Sequence, residues 1–360
     1  MSFVLRDLGI TIGRMSSGKM NGITDVPGVQ VGHTSRIEGD RIRTGVTAII
    51  PHDGNLFYEK VHAAAVTING FGKAIGLPQI NELGTIETPI LLTNTLNVGK
   101  VSDALISWVI DKYRIPNREI LSINPIVAEC NDSYLNDIQA RSIGKEQVFH
   151  ALNSASSEPV EEGVVGAGIG MSAFDFKSGI GSASRTIALD GKEYTLGVLS
   201  LPNFGRREEL VIDGVPVGRM LRNYGKEPVS PDEGSIVIVI GTDIPLSHRQ
   251  LARVAKRAAF GIARTGGTCH NGSGEFAIAF STANKVPDDP KQVFLDEQRL
   301  NDAHSAINDV FQATIEGVGE SILGALFSAK TIAGRDGHRR VALPISRALS
   351  LLKARRSLST

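Results

Sequence analysis

The chain has 360 residues, 41% of them hydrophobic, which suffices for a substantial core in one large domain or two of ordinary size. Its 38 basic and 38 acidic residues cancel, which excludes a global field that would attract nucleic acid or an acidic membrane surface. No apolar run approaches the length of a membrane span, and the first residues lack a signal-peptide pattern. We therefore expect a cytoplasmic protein without nucleic-acid or membrane partners.

Short apolar runs in the first half of the chain predict buried strands at residues 46–50, 63–68 and 90–92. From residue 99 the apolar period becomes helical. Glu129 ends a further apolar strand and is followed by polar residues. A carboxylate in that position is suited to hold the ammonium group of a substrate.

The glycines of segment 166–170 resemble a dinucleotide-binding fingerprint only superficially. The third glycine comes too early, and residues 171–176 alternate like a strand where that motif requires a helix. We therefore predict no nucleotide cofactor. The most apolar strand of the chain follows at residues 235–240.

Residues 302–329 form one long helical pattern, and Glu320 lies on a second face of mostly small residues. Small residues allow another backbone to approach closely, so Glu320 points into that contact. An acid in such a place is either paired and structural or catalytic.

The stretch 264–280 is the candidate centre of the chemistry. A capping box at residues 247–250 starts a helix that glycines end at 266–267, and residues 276–280 read as a strand covered on both faces. Gly272, Ser273 and Gly274 therefore lie at the mouth of a strand anchored in the core.

Two interpretations of this glycine–serine–glycine segment stay open at this point. In the first, the glycines only turn the chain and Ser273 caps a backbone group. In the second, Ser273 attacks the carbonyl of Gly272, and scission leaves an α-amine that acts as the base for its own hydroxyl at neutral pH. That mechanism requires no histidine.

The remaining polar residues predict no metal centre. The eight histidines show no metal-ligand spacing, and His270 is equally compatible with a loop residue and with a base. Cys130 and Cys269 are too few for a disulfide framework and leave one bridge open. The order of strands and helices predicts two sheets between helical layers.

Six ordered segments resemble the family of L-aminopeptidase D-amidase/D-esterases and β-peptidyl aminopeptidases, and together they span most of the chain. They are residues 21–33 (Asn-Gly-Ile-Thr-Asp-Val-Pro-Gly-Val-Gln-Val-Gly-His), 69–73 (Asn-Gly-Phe-Gly-Lys), 87–94 (Glu-Thr-Pro-Ile-Leu-Leu-Thr-Asn), 165–171 (Val-Gly-Ala-Gly-Ile-Gly-Met), 203–206 (Asn-Phe-Gly-Arg) and 271–274 (Asn-Gly-Ser-Gly).

The resemblance implies an α/β fold, a four-layer αββα sandwich related to ornithine acetyltransferase. It implies a single hydrolase domain that cleaves itself before a serine, into an α chain 1–272 and a β chain 273–360, and that often assembles as a tetramer of such heterodimers. No cofactor or metal is implied.

Carried over by motif, the resemblance makes Gly272-Ser273 the cleavage site and Ser273 the nucleophile. Asn203 is then a donor to the oxyanion, and Glu129 and Tyr134 line the substrate pocket. Glu320 matches a glutamate that helps to orient the active site.

Two positions depart from the family pattern. Val318 stands two residues before Glu320, where members usually carry serine or threonine, and Cys130-Asn131 replaces a more typical threonine and its aromatic or polar neighbour. The first departure weakens the expected hydrogen bonds around Ser273, and the second reshapes the pocket.

We therefore expect a self-cleaving serine aminopeptidase or amidase that removes an N-terminal residue from short peptides, amides or esters through an acyl-enzyme. Two alternatives remain at this point. One is an acyltransferase of the ornithine acetyltransferase type, although its threonine nucleophile is missing at position 273. The other is a non-catalytic binding protein of the same fold.

Overall fold

The computed structural model describes residues 5–225, 234–288 and 291–356. Its strands are β1 (Gln30–Glu38), β2 (Ile42–Ile50), β3 (Glu59–Gly70), β4 (Thr85–Ile86), β5 (Ile90–Asn94), β6 (Ile126–Cys130), β7 (Ser172–Ala173), β8 (Phe176–Lys177), β9 (Gly181–Leu189), β10 (Lys192–Asn203), β11 (Ser235–Thr242), β12 (Gly274–Pro287), β13 (Ile332–Ala333) and β14 (Arg339–Arg340). Its α-helices are α1 (Leu77–Leu83), α2 (Val98–Tyr113), α3 (Lys145–Asn153), α4 (Val217–Met220), α5 (His248–Arg264), α6 (Ala306–Phe327) and α7 (Ile345–Arg356).

Two large sheets organise the molecule. The first has the strand order β1-β2-β5-β6, and the second has the order β4-β3-β12-β11-β10-β9. Neighbouring strands are antiparallel except for the pairs β5–β6 and β11–β12, which are parallel. Because β11 and β12 are neighbours and run in the same direction, both strands begin at the same end of the second sheet. There Ser235 lies opposite Gly274.

The two sheets face each other, and helices cover their outer sides. Helices α2 and α3 pack on the first sheet, whereas α5 and α6 pack on the second. Along β11, Val237 and Val239 join the core shared with the first sheet, and Ile236 and Ile238 join the core under α5 and α6. This alternation explains why β11 is apolar throughout, since both of its faces are buried. The expected mixed α/β class with two sheets is confirmed.

Helix α5 shows how local sequence fixes the approach to the predicted centre. Ser247 accepts a hydrogen bond from the N–H of Gln250, and Gly266, at φ +99°, ends the helix in a conformation that favours glycine. Strand β12 is longer than the predicted 276–280. Its last residues alternate between half-buried and exposed positions, so they do not continue the apolar run from which the strand was predicted.

The two cysteines are free thiols, so the single bridge left open by the sequence does not form. Within residues 5–225, 234–288 and 291–356, no helix is long and apolar enough to cross a membrane.

Candidate active site

A cavity of about 340 Å³ opens where β10 ends and where β11 and β12 begin. Three residues expected from the sequence line it, namely Tyr134, Asn203 and Ser273. Gly234 and Glu275 also line it. The structure thus brings together residues from four separate parts of the chain, since Ser273 and Glu275 are only two positions apart.

Ser273 and Glu275 form a hydrogen-bonded pair beside this cavity. The Ser273 hydroxyl donates to the Glu275 carboxylate, and both residues are almost completely buried. Burial raises the pKa of Glu275, against the opposing effect of hydrogen bonds from Ser273 and Asn69. The Ser273 N–H donates to the carbonyl of His270 at 2.9 Å, which holds the residue in a turn.

A second glycine–serine pair, Gly234-Ser235, lies directly beside Ser273. The N–H of Gly274 donates to the Gly234 carbonyl at 3.1 Å, and a Cβ on Gly234 would stand 3.2 Å from the Ser273 hydroxyl oxygen. The Ser235 hydroxyl is buried, makes no hydrogen bond of ordinary geometry to the described residues, and lies beside the thiol of Cys130. The only sign of this pair in the sequence pattern is that a glycine precedes the most apolar strand, whose first residue is a serine.

Asn203 lies opposite Ser235 on the neighbouring strand. Its Oδ1 accepts the N–H of Ser172 at 2.9 Å, and its Nδ2 donates to the carbonyl of Asn131 at 2.9 Å. A main-chain donor and a main-chain acceptor therefore fix the orientation of the amide. One hydrogen of Nδ2 remains after the bond to Asn131.

Tyr134 forms part of the cavity wall together with a short hairpin of β13 and β14, which the sequence analysis did not single out. The ring of His338 stacks on the Tyr134 ring with centroids 4.6 Å apart, and the Arg340 guanidinium lies 3.5 Å from the Tyr134 centroid. Arg335 of the same hairpin also lines the cavity. Hairpins this short give no periodic signal, so only the structure reveals them.

Glu129 does not line the cavity. Its Oε1 accepts the N–H of Lys73 at 2.9 Å, and its Oε2 accepts the Thr95 hydroxyl. Burial raises the pKa of Glu129, opposed by these hydrogen bonds. Asn131, two residues further along the chain, does line the cavity.

Glu320 is not brought to the cavity either. Its carboxylate binds the fully buried guanidinium of Arg185 at 2.6 Å, the Asn21 amide at 2.7 Å and Arg6 at 3.3 Å. None of these partners lines the cavity at Ser273. The valine two residues earlier, Val318, packs against Gly261 of α5, so it has no direct part in the hydrogen bonds of Ser273.

His270 lines the cavity, but its Nε2 is paired with the Glu209 carboxylate at 2.9 Å. Because Glu209 lies on another segment of the chain, this contact links the two segments. Among the residues that the structure describes, no group of three or more His, Cys, Asp and Glu side chains is arranged to hold a metal ion.

A hydroxyl paired with a carboxylate and a fixed amide meet at one cavity, and the buried hydroxyl of Ser235 follows directly after Gly234 of the cavity wall. This is the constellation of a hydrolase that works through a serine. The sequence pattern of peptidase family S58 matches residues 21–340. The chain therefore belongs to this family, and it is an N-terminal-nucleophile serine aminopeptidase or amidase.

Relatives of known sequence or structure resemble the chain over almost its whole length. The β-peptidyl aminopeptidase BapA of Sphingosinicella microcystinivorans is 39% identical over 98% of this chain and 93% of its own. The PH0078 protein of Pyrococcus horikoshii OT3 is 48% identical, with a TM-score of 0.92 over 98% of this chain and 99% of its own. The L-aminopeptidase D-Ala-esterase/amidase of Ochrobactrum anthropi, a variant of the Ntn hydrolase fold, is 36% identical, with a TM-score of 0.91 over 97% and 98% of the two chains.

Proposed function

We propose that Ser235 is the nucleophile and that the chain cuts itself between Gly234 and Ser235. The main observation in favour of this proposal is the hydrogen bond from the Gly274 N–H to the Gly234 carbonyl, at 3.1 Å. It polarises the one carbonyl that the Ser235 hydroxyl would attack, so self-cleavage has a donor in place for the developing oxyanion.

This proposal moves the cut from Gly272-Ser273, where the sequence led us to expect it. The Ser273 hydroxyl is already committed to Glu275, and its N–H is bonded to the turn at His270. The mature chains would then be 1–234 and 235–360 rather than 1–272 and 273–360.

Self-cleavage would follow the usual two steps of an N–O acyl shift. The Ser235 oxygen attacks the Gly234 carbonyl carbon, the C–N bond breaks, and the nitrogen becomes a free amine while an ester forms. Water then hydrolyses the ester, which leaves a carboxylate on Gly234 and a free hydroxyl on Ser235. The free α-amine, with a reference pKa of about 7.7, accepts the proton of its own hydroxyl during turnover.

We assign supporting roles to the residues around Ser235. Ser273 relays a proton between the reacting centre and Glu275, since it lies between Gly234 and that carboxylate. Asn203 offers the remaining Nδ2 hydrogen to the oxyanion, and the Gly274 N–H becomes a second donor once Gly234 has left.

Glu129 and Tyr134 remain our proposed substrate-binding residues. Tyr134 lines the cavity. Glu129 is buried two residues before Asn131 of the cavity wall, and burial raises its pKa. For Glu129 to hold the substrate amine, that amine has to displace the Thr95 hydroxyl or the Lys73 N–H. Glu320 is reassigned to a structural role because its partners lie in another part of the molecule.

The substrates that fit this proposal are short peptides, amides or esters with a free N-terminus, as the names of the relatives suggest. The four-layer αββα sandwich related to ornithine acetyltransferase, the tetramer of heterodimers and the cytoplasmic location stay predictions. Light scattering of the purified protein measures the assembly directly.

N-terminal sequencing of the purified mature protein tests the site of cleavage. We expect a second N-terminus at Ser235, an intact and inactive chain in the Ser235→Ala variant, and slower cleavage at the same bond in Ser273→Ala. A second N-terminus at Ser273 would instead restore the sequence-based assignment. A wild-type protein that is active as an uncut chain would refute both.

A further inference from the structure

The hairpin of β13 and β14, residues 332–340, forms a basic wall of the active-site cavity. Arg335, His338 and Arg340 of this hairpin all line the cavity. The hairpin is anchored to the rest of the molecule, because the Arg335 N–H donates to the Leu135 carbonyl at 2.9 Å. Its basic groups are therefore held in place before any substrate arrives.

The charges that face the cavity are unequal. Among the residues that the structure describes, three arginines line it, Arg206, Arg335 and Arg340, against two carboxylates, Asp175 and Glu275. Both carboxylates are engaged by other groups, since Glu275 accepts the hydroxyl of Ser273 and Asp175 accepts the main-chain N–H of Arg207 at 3.1 Å. The described part of the cavity lining thus carries more arginines than carboxylates.

The counter-charge of Arg335 is distant and shared with another arginine. Its Nε is buried and makes no hydrogen bond to the described residues. The carboxylate of Asp336 lies 3.8 Å from this atom, is half exposed, and is shared with Arg41 at 3.4 Å. The Arg335 side chain as a whole is 31% exposed and lines the cavity, so a ligand there can supply an acceptor to its guanidinium.

We propose that Arg335 binds a carboxylate of the peptide substrate, so that the enzyme prefers substrates with an acidic group over matched neutral ones. A planar guanidinium matches the geometry of a carboxylate. A cavity of about 340 Å³ is at the small end of ligand sites, which favours a peptide of very few residues. The inference rests on the proposed function, because it takes this cavity as the substrate site.

Three sources can supply that carboxylate: the C-terminus of a dipeptide, an acidic side chain on the leaving residue, or one on the N-terminal residue. Matched substrates separate them. With X as alanine or β-alanine, whichever is cleaved faster, the set is X-Ala, X-Ala-amide, X-Asp-amide and Asp-Ala-amide. We expect at least one acidic substrate to exceed X-Ala-amide in kcat/KM by about tenfold, mainly through a lower KM.

The variants test whether Arg335 carries this preference. Arg335→Gln should abolish it, so that acidic substrates are cleaved no faster than X-Ala-amide by the same variant, and Arg335→Lys should retain part of it because the charge remains. Arg219→Gln, an exposed arginine outside the cavity, should behave like the wild type.

Equal kcat/KM for all four substrates, or a preference that survives in Arg335→Gln, overturns the inference. Either outcome leaves the proposed function intact, since X-Ala-amide is still cleaved. A different result would refute the proposed function itself, namely turnover that persists in Ser235→Ala.

Discussion

Ser235 and Asn203 stand directly opposite each other on β11 and β10, in one rung of the antiparallel ladder. Side chains in such a pair share one face of the sheet, with Cβ atoms roughly 4.5–5.5 Å apart. An amide that two main-chain groups hold in place is therefore set beside the proposed nucleophile. When the Ser235 oxygen attacks a carbonyl carbon, the oxyanion would therefore form near this donor.

Replacing Asn203 by alanine should lower kcat by roughly 10²- to 10³-fold, about 2.7–4 kcal/mol, because a donor to the oxyanion is lost. The measurement is hydrolysis of an aminoacyl p-nitroanilide by fully processed protein, so that slow maturation is not mistaken for slow turnover. Asn223→Ala, at an exposed position, is the control. Wild-type kcat in Asn203→Ala would contradict the assigned role.

The Glu275 carboxylate should impose an acidic limb on the pH profile. It can accept a proton relayed through Ser273 only when it is ionised, and burial raises its pKa. Activity should therefore fall as the pH falls through that raised pKa. In Glu275→Gln we expect kcat to drop roughly 10²- to 10⁴-fold and this contribution to the acidic limb to vanish, which leaves only the contribution of the Ser235 amine. A profile of kcat/KM from about pH 4 to pH 9 spans the relevant carboxyl and amine groups; an unchanged acidic limb in the variant assigns it to another group.

Glu129→Gln should raise KM for substrates with a free amine and leave kcat nearly unchanged, because the amide keeps the shape of the side chain but loses its charge. A loss of roughly tenfold in kcat/KM corresponds to about 1.4 kcal/mol of binding. The matched comparison is a substrate acetylated at the amine, on which variant and wild type should be equally poor. Unchanged KM for the free-amine substrate removes Glu129 from substrate binding.

Glu320→Gln should destabilise the protein without slowing the chemistry. The variant weakens the pairing of Arg185, which is fully buried, and of Arg6. Removing one partner of a buried ion pair typically costs about 3–5 kcal/mol, and retention of Glu316 at 3.0 Å from Arg185 should reduce that loss. Thermal unfolding gives the stability, and kcat of the folded variant gives the chemistry. A large fall in kcat with an unchanged Tm would return Glu320 to the active site.

Glu162 should make the stability depend on pH. Burial raises its pKa to about 7, with a smaller effect from the neighbouring Glu320 carboxylate, against an unfolded value of about 4.3. The folded state then binds the proton more tightly, so the free energy of unfolding falls as the pH rises from about 4.5 to 7.

Glu162→Gln should abolish this loss and be more stable than the wild type at about pH 8, by about 1 kcal/mol because part of the side chain reaches the surface. Urea unfolding of both proteins at about pH 5 and pH 8 measures the difference. The exposed Glu158→Gln is the control. A variant with the same pH dependence as the wild type places the titration elsewhere.

Local signals in the sequence predicted the elements well. The capping box at Ser247 marked the start of α5, and the apolar run at residues 276–280 marked a strand, β12, that is covered on both faces. Both signals are set by residues a few positions apart, so they do not depend on the rest of the chain.

The arrangement of the site could not be predicted in the same way. Two glycine–serine pairs occur at the starts of apolar strands. Only the parallel register of Ser235 with Gly274 shows that both pairs lie at the same end of the sheet. Likewise, Glu320 was predicted to be either structural or catalytic, and its buried partner Arg185 lies 135 residues away in the chain. Spacing in the sequence carries no information about such pairings.

The strand order of the second sheet determines what happens to the two fragments after a cut at Gly234. Strands β11 and β12 would belong to the C-terminal fragment, yet they are flanked by β3 and β10 of the N-terminal fragment. The C-terminal fragment thus supplies the two middle strands of a sheet whose outer strands belong to the N-terminal fragment. The two polypeptides should co-purify as an interlocked unit and separate only in denaturant, so maturation nicks the molecule without dismantling it.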